Sequence, residues 1–496
     1  MAVAWRWFMY REIRLRSHFG CVLALHALLA LSACSIGGES GIEPPLDRIF
    51  LPTGAVVDGS GRWLLVVNSN SDLRYSFGTV VPLDLVAARE DLNHPLWPIC
   101  PAEDYRPLRN EGRKCCRDPL DVRVLNCDDR PYALPAATVR VGSFATTPVM
   151  QSFERDGKRV DRMFFGVRAD PSITFVDVTT GPDGLGLRCT GNPNDINVTG
   201  ERNSRCDKNF RVEKGVLGGN DVLLPEEPFS LKLDPTLNVL YVGHLFGGLS
   251  AIDVCAPGIS TPRLGSVVRR VYGEEAPATG VTAIAPSLEG DPLLPVFTTA
   301  REGVALGQLF FRAGAQAAVC DPAAPRDLTL VPAPPLAANT FEPRGSETRG
   351  LVYQRDKNRA FVLHRNSGGN PAALARMNLG LDTRQQRQFE PSAAIDVCAG
   401  PGELHLHDAG RGNRLYIPCF DSGQVYVVDP DLMVVTEIIE VGRGPSSLTF
   451  DPNLPTVAYV IGYVDNNISV LDLRPGSATE GIVVQRIGFA RTSREL

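Results

Sequence analysis

Histidine is the residue type in this sequence best suited to bind a metal ion or to transfer protons, because its imidazole changes charge near neutral pH. Of the seven histidines in the 496-residue chain, His405 and His407 are only two residues apart. On a β-strand this spacing puts both side chains on one face, where they can bind a metal ion or another ligand. The alternative is that both only form hydrogen bonds within a packed or solvated strand.

Two further histidines end apolar segments that are similar to each other. Residues 241–244 read YVGH and residues 361–364 read FVLH, and Asn68 ends the comparable segment LLVVN at 64–68. If these segments recur around a ring, then His244, His364 and Asn68 could face a common polar surface. They are therefore candidate ligand-binding or metal-binding residues, and a metal ion is the one cofactor that the histidines suggest.

Common catalytic motifs are missing from the sequence. It contains no G-x-S-x-G nucleophile elbow, no P-loop, no H-E-x-x-H zinc motif and no C-x-x-C-H haem signature. No catalytic residue can be assigned on this basis, and these absences favour a binding protein over an enzyme.

A repeated unit contains the segments that carry these residues. Within residues 415–473 the same order occurs twice: an apolar strand, a polar turn and a second strand that ends in aspartate. Tyr416 and Tyr459 are 43 residues apart, and so are Asp429 and Asp472. A period of about 40–45 residues with several short strands is typical of a β-propeller blade. We interpret the aspartates as turn-forming or capping residues.

The same order of strands and turns predicts seven blades along the chain. Their clearest segments are 49–85, 139–178, 229–254, 265–312, 348–379, 415–429 and 458–472, followed by a last outer strand at 481–489 that lies beside the first blade. Polar insertions interrupt the pattern at 93–135 and 181–215, and the proline-rich residues 323–343 are interpreted as a loop. No segment beyond the N-terminal region has a sustained helical period. The predicted fold is all-β: one propeller domain at 48–496 with seven blades of four antiparallel strands.

The repeat resembles that of YVTN-type, WD40-like β-propellers. The resemblance rests on YVGH at 241–244, VLD at 470–472 and VGRGP at 441–445, which match the family's strand motifs and its Val-Gly-x-x-Pro strand end. It implies a seven-bladed ring of four-stranded antiparallel sheets. It does not imply one function, because such rings occur in binding proteins, lactonases and quinoprotein dehydrogenases.

The N-terminus has the features of a bacterial lipoprotein signal peptide. Basic residues precede an apolar run at 19–31 that is short for a membrane-spanning helix, and the run ends in LSAC at 31–34. This lipobox predicts a signal peptide at 1–33, lipid on Cys34 and a tether at 34–47. Ser35 after the cysteine favours sorting to the outer membrane. The alternative is an ordinary secretory signal that ends in a chance cysteine.

The remaining cysteines are even in number, which in an exported chain indicates disulfides. A zinc site would need paired ligands such as C-x-x-C, and none occurs. We predict the pairs Cys189–Cys206, Cys398–Cys419 and Cys255–Cys320. Two more disulfides, of unassigned pairing, join the cysteines of the first insertion: Cys100, Cys115, Cys116 and Cys127.

The formal net charge of −6 argues against a nucleic-acid partner, which usually requires a clustered basic face. The predicted function is therefore a lipid-anchored binding or scaffold protein at the bacterial outer membrane, periplasmic or surface-exposed. Its partners would be the membrane, through the lipid, and a protein or polysaccharide. The cysteine-rich insertion could carry that contact, or it could be a surface ornament without function.

The alternative function is an exported propeller enzyme, either lactonase-like or a quinoprotein or metal-dependent oxidoreductase. Its site would lie at the central channel and would use the histidines together with Arg168, Arg301 or Arg365. The two functions differ in one structural expectation. An enzyme site requires His244, His364 and His405 to converge on one pocket, whereas a binding protein allows them to lie in separate blades.

Overall fold

The structure is a computed structural model. It describes residues 42–101, 106–107, 114–155, 158–181, 184–189, 206, 208–255, 261–273, 279–286, 295–302, 305–312, 326–337, 346–366, 372–381 and 387–489. The predicted signal peptide at 1–33 and the lipidation site Cys34 lie outside these ranges. Residues 44–496 form one compact unit. Among the residues described, no helix is long and apolar enough to span a membrane.

The strands follow one another as successive antiparallel sheets, here called blades 1 to 7. Blade 1 and its insertion contain β1 (Pro52–Val57), β2 (Trp63–Asn68), β3 (Gly78–Asp84), helix α1 (Leu85–Asn93), β4 (Cys115–Arg117), β5 (Leu125–Cys127) and β6 (Val139–Val141). Blade 2 and the segment after it contain β7 (Val149–Arg155), β8 (Lys158–Val167), β9 (Ser172–Gly181), β10 (Gly184–Arg188), β11 (Arg211–Val212), β12 (Lys214–Leu217) and β13 (Asn220–Leu223). Blade 3 contains β14 (Pro228–Asp234), β15 (Val239–His244), β16 (Gly248–Asp253) and β17 (Arg263–Val268).

The last four blades continue this order. Blade 4 contains β18 (Val281–Pro286), β19 (Val296–Ala300), β20 (Ala305–Phe311) and β21 (Leu330–Ala337). Blade 5 contains β22 (Ser346–Gln354), β23 (Arg359–Asn366), β24 (Ala373–Leu381) and β25 (Arg387–Asp396). Blade 6 contains β26 (His405–Asp408), β27 (Asn413–Cys419), β28 (Gln424–Asp429) and β29 (Val434–Glu440), and blade 7 contains β30 (Pro445–Phe450), β31 (Val457–Gly462), β32 (Asn467–Asp472) and β33 (Ile482–Gly488). Single 3₁₀ turns occur at Pro135–Ala137, Lys208–Phe210 and Arg355–Lys357.

The predicted all-β, seven-bladed propeller is confirmed. In each blade the first strand pairs with the second, the second with the third and the third with the fourth. The first strands of neighbouring blades contact one another, as β1 does with β7 and β30 and β18 does with β14 and β22, so these strands surround the centre of the ring. The second strands β2 and β15 are buried along their whole length, because blades pack against both of their faces.

Aspartates close the turns at the outer ends of these strands. After the first strand, the Asp58 carboxylate accepts hydrogen bonds from the backbone N–H groups of Arg62 and Trp63, and Asp234 does the same for Thr236 and Leu237. After the third strand, the equivalent acceptors are Asp84, Asp253, Asp429 and Asp472. The aspartates therefore have the turn-forming and capping role that the sequence predicts.

Four predicted boundaries are wrong, and each error concerns an outer strand. Residues 184–188, predicted as part of the second insertion, form β10, the outer strand of blade 2. Residues 139–141 form the outer strand of blade 1, not the start of blade 2, and Gly265 belongs to β17 of blade 3. The proline-rich residues 330–337 form β21 instead of a loop, which an outer strand tolerates because one of its edges needs no hydrogen-bond donors. The short helix α1 was not predicted; Asp84 starts it by accepting hydrogen bonds from the N–H groups of Val86 and Ala87.

Both insertions contain regular structure and disulfides. In the first, Cys100 bonds to Cys116 and Cys115 bonds to Cys127. In the second, which also contains β10 and β11, Cys189 bonds to Cys206. In blade 6, Cys398 bonds to Cys419. Cys255 is disulfide-bonded too, but Cys320 lies outside the described residues, so that pair stays a prediction.

The first insertion closes the ring. Strand β5 pairs in parallel with β33, the outer strand of blade 7, and β4 pairs with β5, which gives blade 7 a six-stranded sheet. We call β4 and β5 with their two disulfides the clasp. On the inner side, the Leu51 N–H donates to Asn466 Oδ1 at 2.6 Å, and Ser446 Oγ donates to the Pro52 carbonyl at 3.2 Å. The predicted outer strand at the end of the chain therefore lies beside a segment of blade 1.

Removing a clasp disulfide should loosen β33. A Cys115→Ser/Cys127→Ser variant is expected to lose about 2–4 kcal/mol of unfolding free energy, because this disulfide restricts the unfolded chain. Hydrogen exchange at the amides of β33 should become faster, since β5 covers that edge. The matched control is Cys189→Ser/Cys206→Ser, which opens a loop of similar length away from β33. Equal exchange of β33 in both variants would contradict a closing role for the clasp.

Candidate functional site

The register of the strands defines one equivalent position in every blade, at the end of the second strand. In blades 1, 3, 4, 5 and 7 it holds Asn68, His244, Ala300, His364 and Gly462, each opposite the inner-strand residue just before a register shift. In blades 2 and 6 it holds Val167 and Cys419, which form isolated bridges to Ala145 and Pro401. The candidate residues Asn68, His244 and His364 therefore share a repeat position with Val167, Ala300, Cys419 and Gly462. The position is buried in every blade but the fifth, where His364 is half-buried, and it does not form a common polar surface.

Asn68 and His244 bond to groups of their own blades. Asn68 Nδ2 donates to Thr79 Oγ1 on the third strand at 2.9 Å, and Asn68 Oδ1 accepts from the Phe50 N–H at 3.1 Å. His244 Nε2 lies 2.9 Å from Ser250 Oγ, also on the third strand. Both side chains are completely buried. Each side chain forms a hydrogen bond with a hydroxyl group inside the sheet. Because both are buried, neither is available to a ligand.

Burial also shifts the proton affinity of these histidines. It lowers the pKa of His244 to about 3 and that of His364 to about 4, because a buried site disfavours the charged imidazolium. His364 lies in blade 5, two blades away from His244, and opposite Thr348 of its inner strand. The structure therefore does not bring His244, His364 and His405 together in one pocket.

His405 and His407 lie on the inner strand of blade 6, where both rings contact Phe450 of blade 7. The His407 ring stacks on Phe450 with centroids 3.7 Å apart, and His407 Nε2 lies 2.6 Å from the Pro455 carbonyl. His405 Nε2 lies 3.0 Å from Glu403 Oε2. In the described part of the chain, no group of three or more His, Cys, Asp or Glu side chains could hold a metal ion. The pair is thus held by packing and by single hydrogen bonds.

Glu403 is a central residue that the sequence did not single out. Its Oε1 accepts a hydrogen bond from Thr147 Oγ1 of blade 2 at 3.0 Å, and its Oε2 accepts from the Leu448 N–H of blade 7 at 3.3 Å. Together with the contact to His405, one carboxylate connects blades 2, 6 and 7. It lies among the inner strands and therefore marks the central channel.

The inner strands share a bulge that directs side chains toward this channel. In blades 1, 3, 4, 5 and 7 the pairing of the first strand with the second skips one residue near the start of the strand. The skipped residues are Thr53, Phe229, Thr282, Arg349 and Ser446. A β-bulge re-aims the side chain of its extra residue and is common next to binding sites. Phe229 and Arg349 are the large members of this set.

Phe229 and Arg349 meet although blade 4 lies between their blades. The Arg349 guanidinium lies 5.1 Å from the centre of the Phe229 ring, and Arg349 Nη2 forms an ion pair with Glu347 Oε1 at 2.8 Å. Burial lowers the pKa of Arg349, and the positive charges of Arg365 and Arg301 lower it further, whereas Glu347 raises it. Arg301 and Arg365 are therefore near enough to Arg349 for their charges to act on it.

The residue that follows the end of the second strand supplies further arginine and aromatic side chains near Arg349. It is Arg168 in blade 2, Arg301 in blade 4 and Arg365 in blade 5, and it is aromatic in blades 6 and 7, as Phe420 and Tyr463. Arg168 pairs with Glu227, and Arg365 Nη2 lies 3.6 Å from Asp421 Oδ2. The Arg301 guanidinium lies 5.2 Å from the ring centre of Phe246, which is 54% exposed.

These side chains form the best candidate for a functional site in the molecule. We call Phe229, Phe246, Arg301, Glu347, Arg349 and Arg365 the channel-mouth site. Two of them, Arg301 and Arg365, were sequence candidates, whereas the others were not. The signal that could have found Arg349 and Phe229 is their place after the start of an inner strand, where the repeat otherwise has small residues. Arginine forks beside aromatic rings suit the recognition of a partner rather than proton transfer.

Comparisons with known proteins leave the function open. No protein-family model and no curated protein matches the chain. It is similar to Kuenenia stuttgartiensis hydrazine synthase, at 12% identity and a TM-score of 0.47 over 90% of this chain and 99% of that one. It is also similar to a candidate 6-phosphogluconolactonase of Bacteroides fragilis, at 13% identity and a TM-score of 0.44 over 79% and 85% of the two chains. The β-propeller domain of Cps50 from Myceliophteria thermophila matches at 11% identity and a TM-score of 0.47 over 86% and 98%.

The buried His244 should make the stability of the protein depend on pH. Its pKa is lowered from 6.5 to about 3, so the unfolded chain takes up a proton below about pH 6.5 that the folded chain does not. Stability is fully present above that pH and is lost as the pH falls toward 3. Between about pH 7 and about pH 5 this histidine should cost about 2 kcal/mol.

Urea unfolding of a His244→Asn variant tests this, because asparagine occupies the same position in blade 1. The loss of stability between the two pH values should shrink by that amount, whereas an exposed control, His94→Asn, should behave like the wild type. An unchanged pH dependence in His244→Asn would show that this histidine is not held neutral by the fold.

Proposed function

We propose that this protein is an exported, lipid-anchored binding protein of the bacterial outer membrane that holds a protein or polysaccharide partner at the channel-mouth site. The scaffold is the propeller, and the turns at one end of the ring present the site. The partner makes its contact with arginine and aromatic side chains instead of undergoing a reaction. The membrane is the second partner, through lipid on Cys34.

The observation that carries this proposal is the meeting of arginines and exposed aromatic rings at one end of the channel. Phe246 is 54% exposed, and the guanidinium of Arg301 lies beside it. Arginine and aromatic residues carry much of the energy in binding interfaces.

The cellular location rests on the sequence and on the cysteines. Disulfides persist in oxidising compartments such as the periplasm and the cell surface, and the described residues contain four pairs. The lipobox at 31–34 supplies the anchor, and Ser35 favours the outer membrane.

An enzymatic function has less support. The enzyme hypothesis required His244, His364 and His405 to converge, but they lie in blades 3, 5 and 6, and His244 is completely buried. His405 and His407 each make a single polar contact, with Glu403 and with the Pro455 carbonyl. No observation at these residues favours a metal, a quinone or a lactone substrate.

Lipidation can be tested by labelling. Cells that express the full-length chain should incorporate radiolabelled palmitate into the protein, and the protein should sediment with outer-membrane vesicles. A Cys34→Ala variant should lose both the label and the sedimentation, because the lipid is its proposed anchor. The control is a Cys189→Ser/Cys206→Ser variant with Cys34 intact, which should keep both the palmitate label and the sedimentation with outer-membrane vesicles. Membrane-bound Cys34→Ala protein would contradict the lipid anchor.

Partner binding can be tested at the channel mouth. An Arg301→Ala/Phe246→Ala variant should recover partners from outer-membrane extracts at least tenfold less than the wild type, because two hot-spot side chains are lost. The matched control is Arg62→Ala, which removes an arginine that also lies over an aromatic ring, 5.0 Å from Trp63, at the opposite end of the sheet. Equal recovery by both variants would move the binding surface away from the channel mouth.

A further inference from the structure

We propose that the channel-mouth site is a receptor for an oxyanion, the carboxylate or phosphate group of a ligand, gripped by Arg301, Arg349 and Arg365. This inference rests on the proposed function and specifies the chemistry of its ligand. The anion is the charged end of the ligand, and a ring or apolar portion next to it contacts Phe246 and Phe229.

The balance of charge at the site favours an anion. Its three guanidinium groups face one carboxylate of the site, Glu347, whose Oε1 already pairs with Arg349. Arg365 has a loose contact with Asp421, at 3.6 Å, and both side chains are more than a third exposed. In the part of the chain that the structure describes, Arg301 forms no ion pair, and its guanidinium lies over the Phe246 ring. The cluster therefore has positive charge to spare.

Arg349 is held for a ligand that the protein itself does not supply. Its side chain is only 19% exposed, and its Nε is buried without a hydrogen-bond acceptor in the described structure. Leaving a buried charged donor unpaired is costly, so such a group usually has a partner. The guanidinium fork presents two parallel N–H groups, and a carboxylate or phosphate accepts both at once. An oxyanion would thus complete the hydrogen bonding of Arg349.

The position of Arg349 is fixed before any ligand arrives. The residue is the bulge of β22, the Phe229 ring lies under its guanidinium at 5.1 Å, and Glu347 holds Nη2 from the side. A preorganised donor loses little entropy on binding. Lysine could not replace it, because an ammonium lacks the planar fork and stacks less well on a ring.

A purely structural ion-pair network would look different. Its charges would be matched, and neighbouring arginines would alternate with carboxylates, as Arg168 does with Glu227 and Arg443 does with Asp465. At the channel mouth, in contrast, burial lowers the pKa of Arg349 first, Glu347 raises it, and repulsion from Arg365 and Arg301 adds to the lowering. This repulsion is unfavourable in the empty protein and is relieved by a bound anion. The propeller therefore contains arginines whose charges are balanced by carboxylates as well as the arginines of the channel-mouth site, whose charges are not fully balanced.

The test uses two small anions as probes on the full-length protein. Sodium galacturonate carries a carboxylate on a sugar ring, glucose 6-phosphate carries a phosphate, and galactose is the neutral control at equal ionic strength. At least one anion should raise the melting temperature and bind in calorimetry, and galactose should do neither. Galacturonate alone would assign the site to carboxylates and glucose 6-phosphate alone to phosphates. If neither anion binds, the inference is overturned.

Substitutions then locate the binding. Arg349→Gln and Arg301→Gln should each lower the affinity for the anion by about ten- to a hundredfold, because each removes one charge-assisted contact. Arg349→Lys should weaken it nearly as much, because the charge remains but the fork does not. Arg301 follows β19 at a bend and forms no ion pair in the described structure, so its variant keeps the test valid if Arg349→Gln fails to fold. Arg62→Gln should bind like the wild type; an equal loss there would show nonspecific charge attraction and overturn the inference.

Failure of this inference and failure of the proposed function give different results. If the wild type captures a partner from extracts and neither anion competes with it, the binding function stands and the oxyanion chemistry falls. If the anions bind but Arg301→Ala/Phe246→Ala recovers partners like the wild type, the oxyanion site stands and the partner surface falls. Competition by an anion, lost in Arg349→Gln, supports both.

Discussion

An open β-sheet ends in rows of unpaired backbone N–H and C=O groups, and a ring of blades can close only where its first and last blades meet. In this protein the clasp provides strands for the outer edge of blade 7, while Leu51 and Ser446 join the inner edges. The clasp hairpin is itself cross-linked at Cys115–Cys127. Because every blade packs on two neighbours, the geometry of the channel mouth depends on this one junction.

The repeat uses neighbouring positions for different purposes. The end of the second strand is buried, so Asn68 and His244 satisfy hydroxyl groups there and cannot contact a ligand. The next residue emerges at the turn, where Arg301 and Arg365 are accessible. The inner-strand bulge aims Arg349 and Phe229 at the channel. Two adjacent residues at the end of the second strand thus differ in role: the first has a structural side chain, and the second has a side chain available for binding.

The sequence predicts the fold well because the period, the alternating strands and the aspartate turns are local features. It misplaces β6, β17 and β21, since outer strands have one exposed edge and weaker patterning. The site is less predictable. Arg349 and Phe229 are 120 residues apart in the sequence, and only the closed ring brings them within 5.1 Å. The histidines have suitable chemistry and spacing for a ligand site, but neither property indicates whether a side chain is buried.

The clasp also has a consequence for the order of folding. The Cys115–Cys127 link joins residues separated by 12 positions, so the hairpin can form as soon as that segment is available, whereas the Leu51–Asn466 bond spans 415 residues. Contacts of such long range form late, because the entropy of closing a long loop must be lost first. We expect the cross-linked clasp to form before β33 pairs with it. Docking of the last strand would then be the final folding step, and oxidation of the clasp cysteines would come before it.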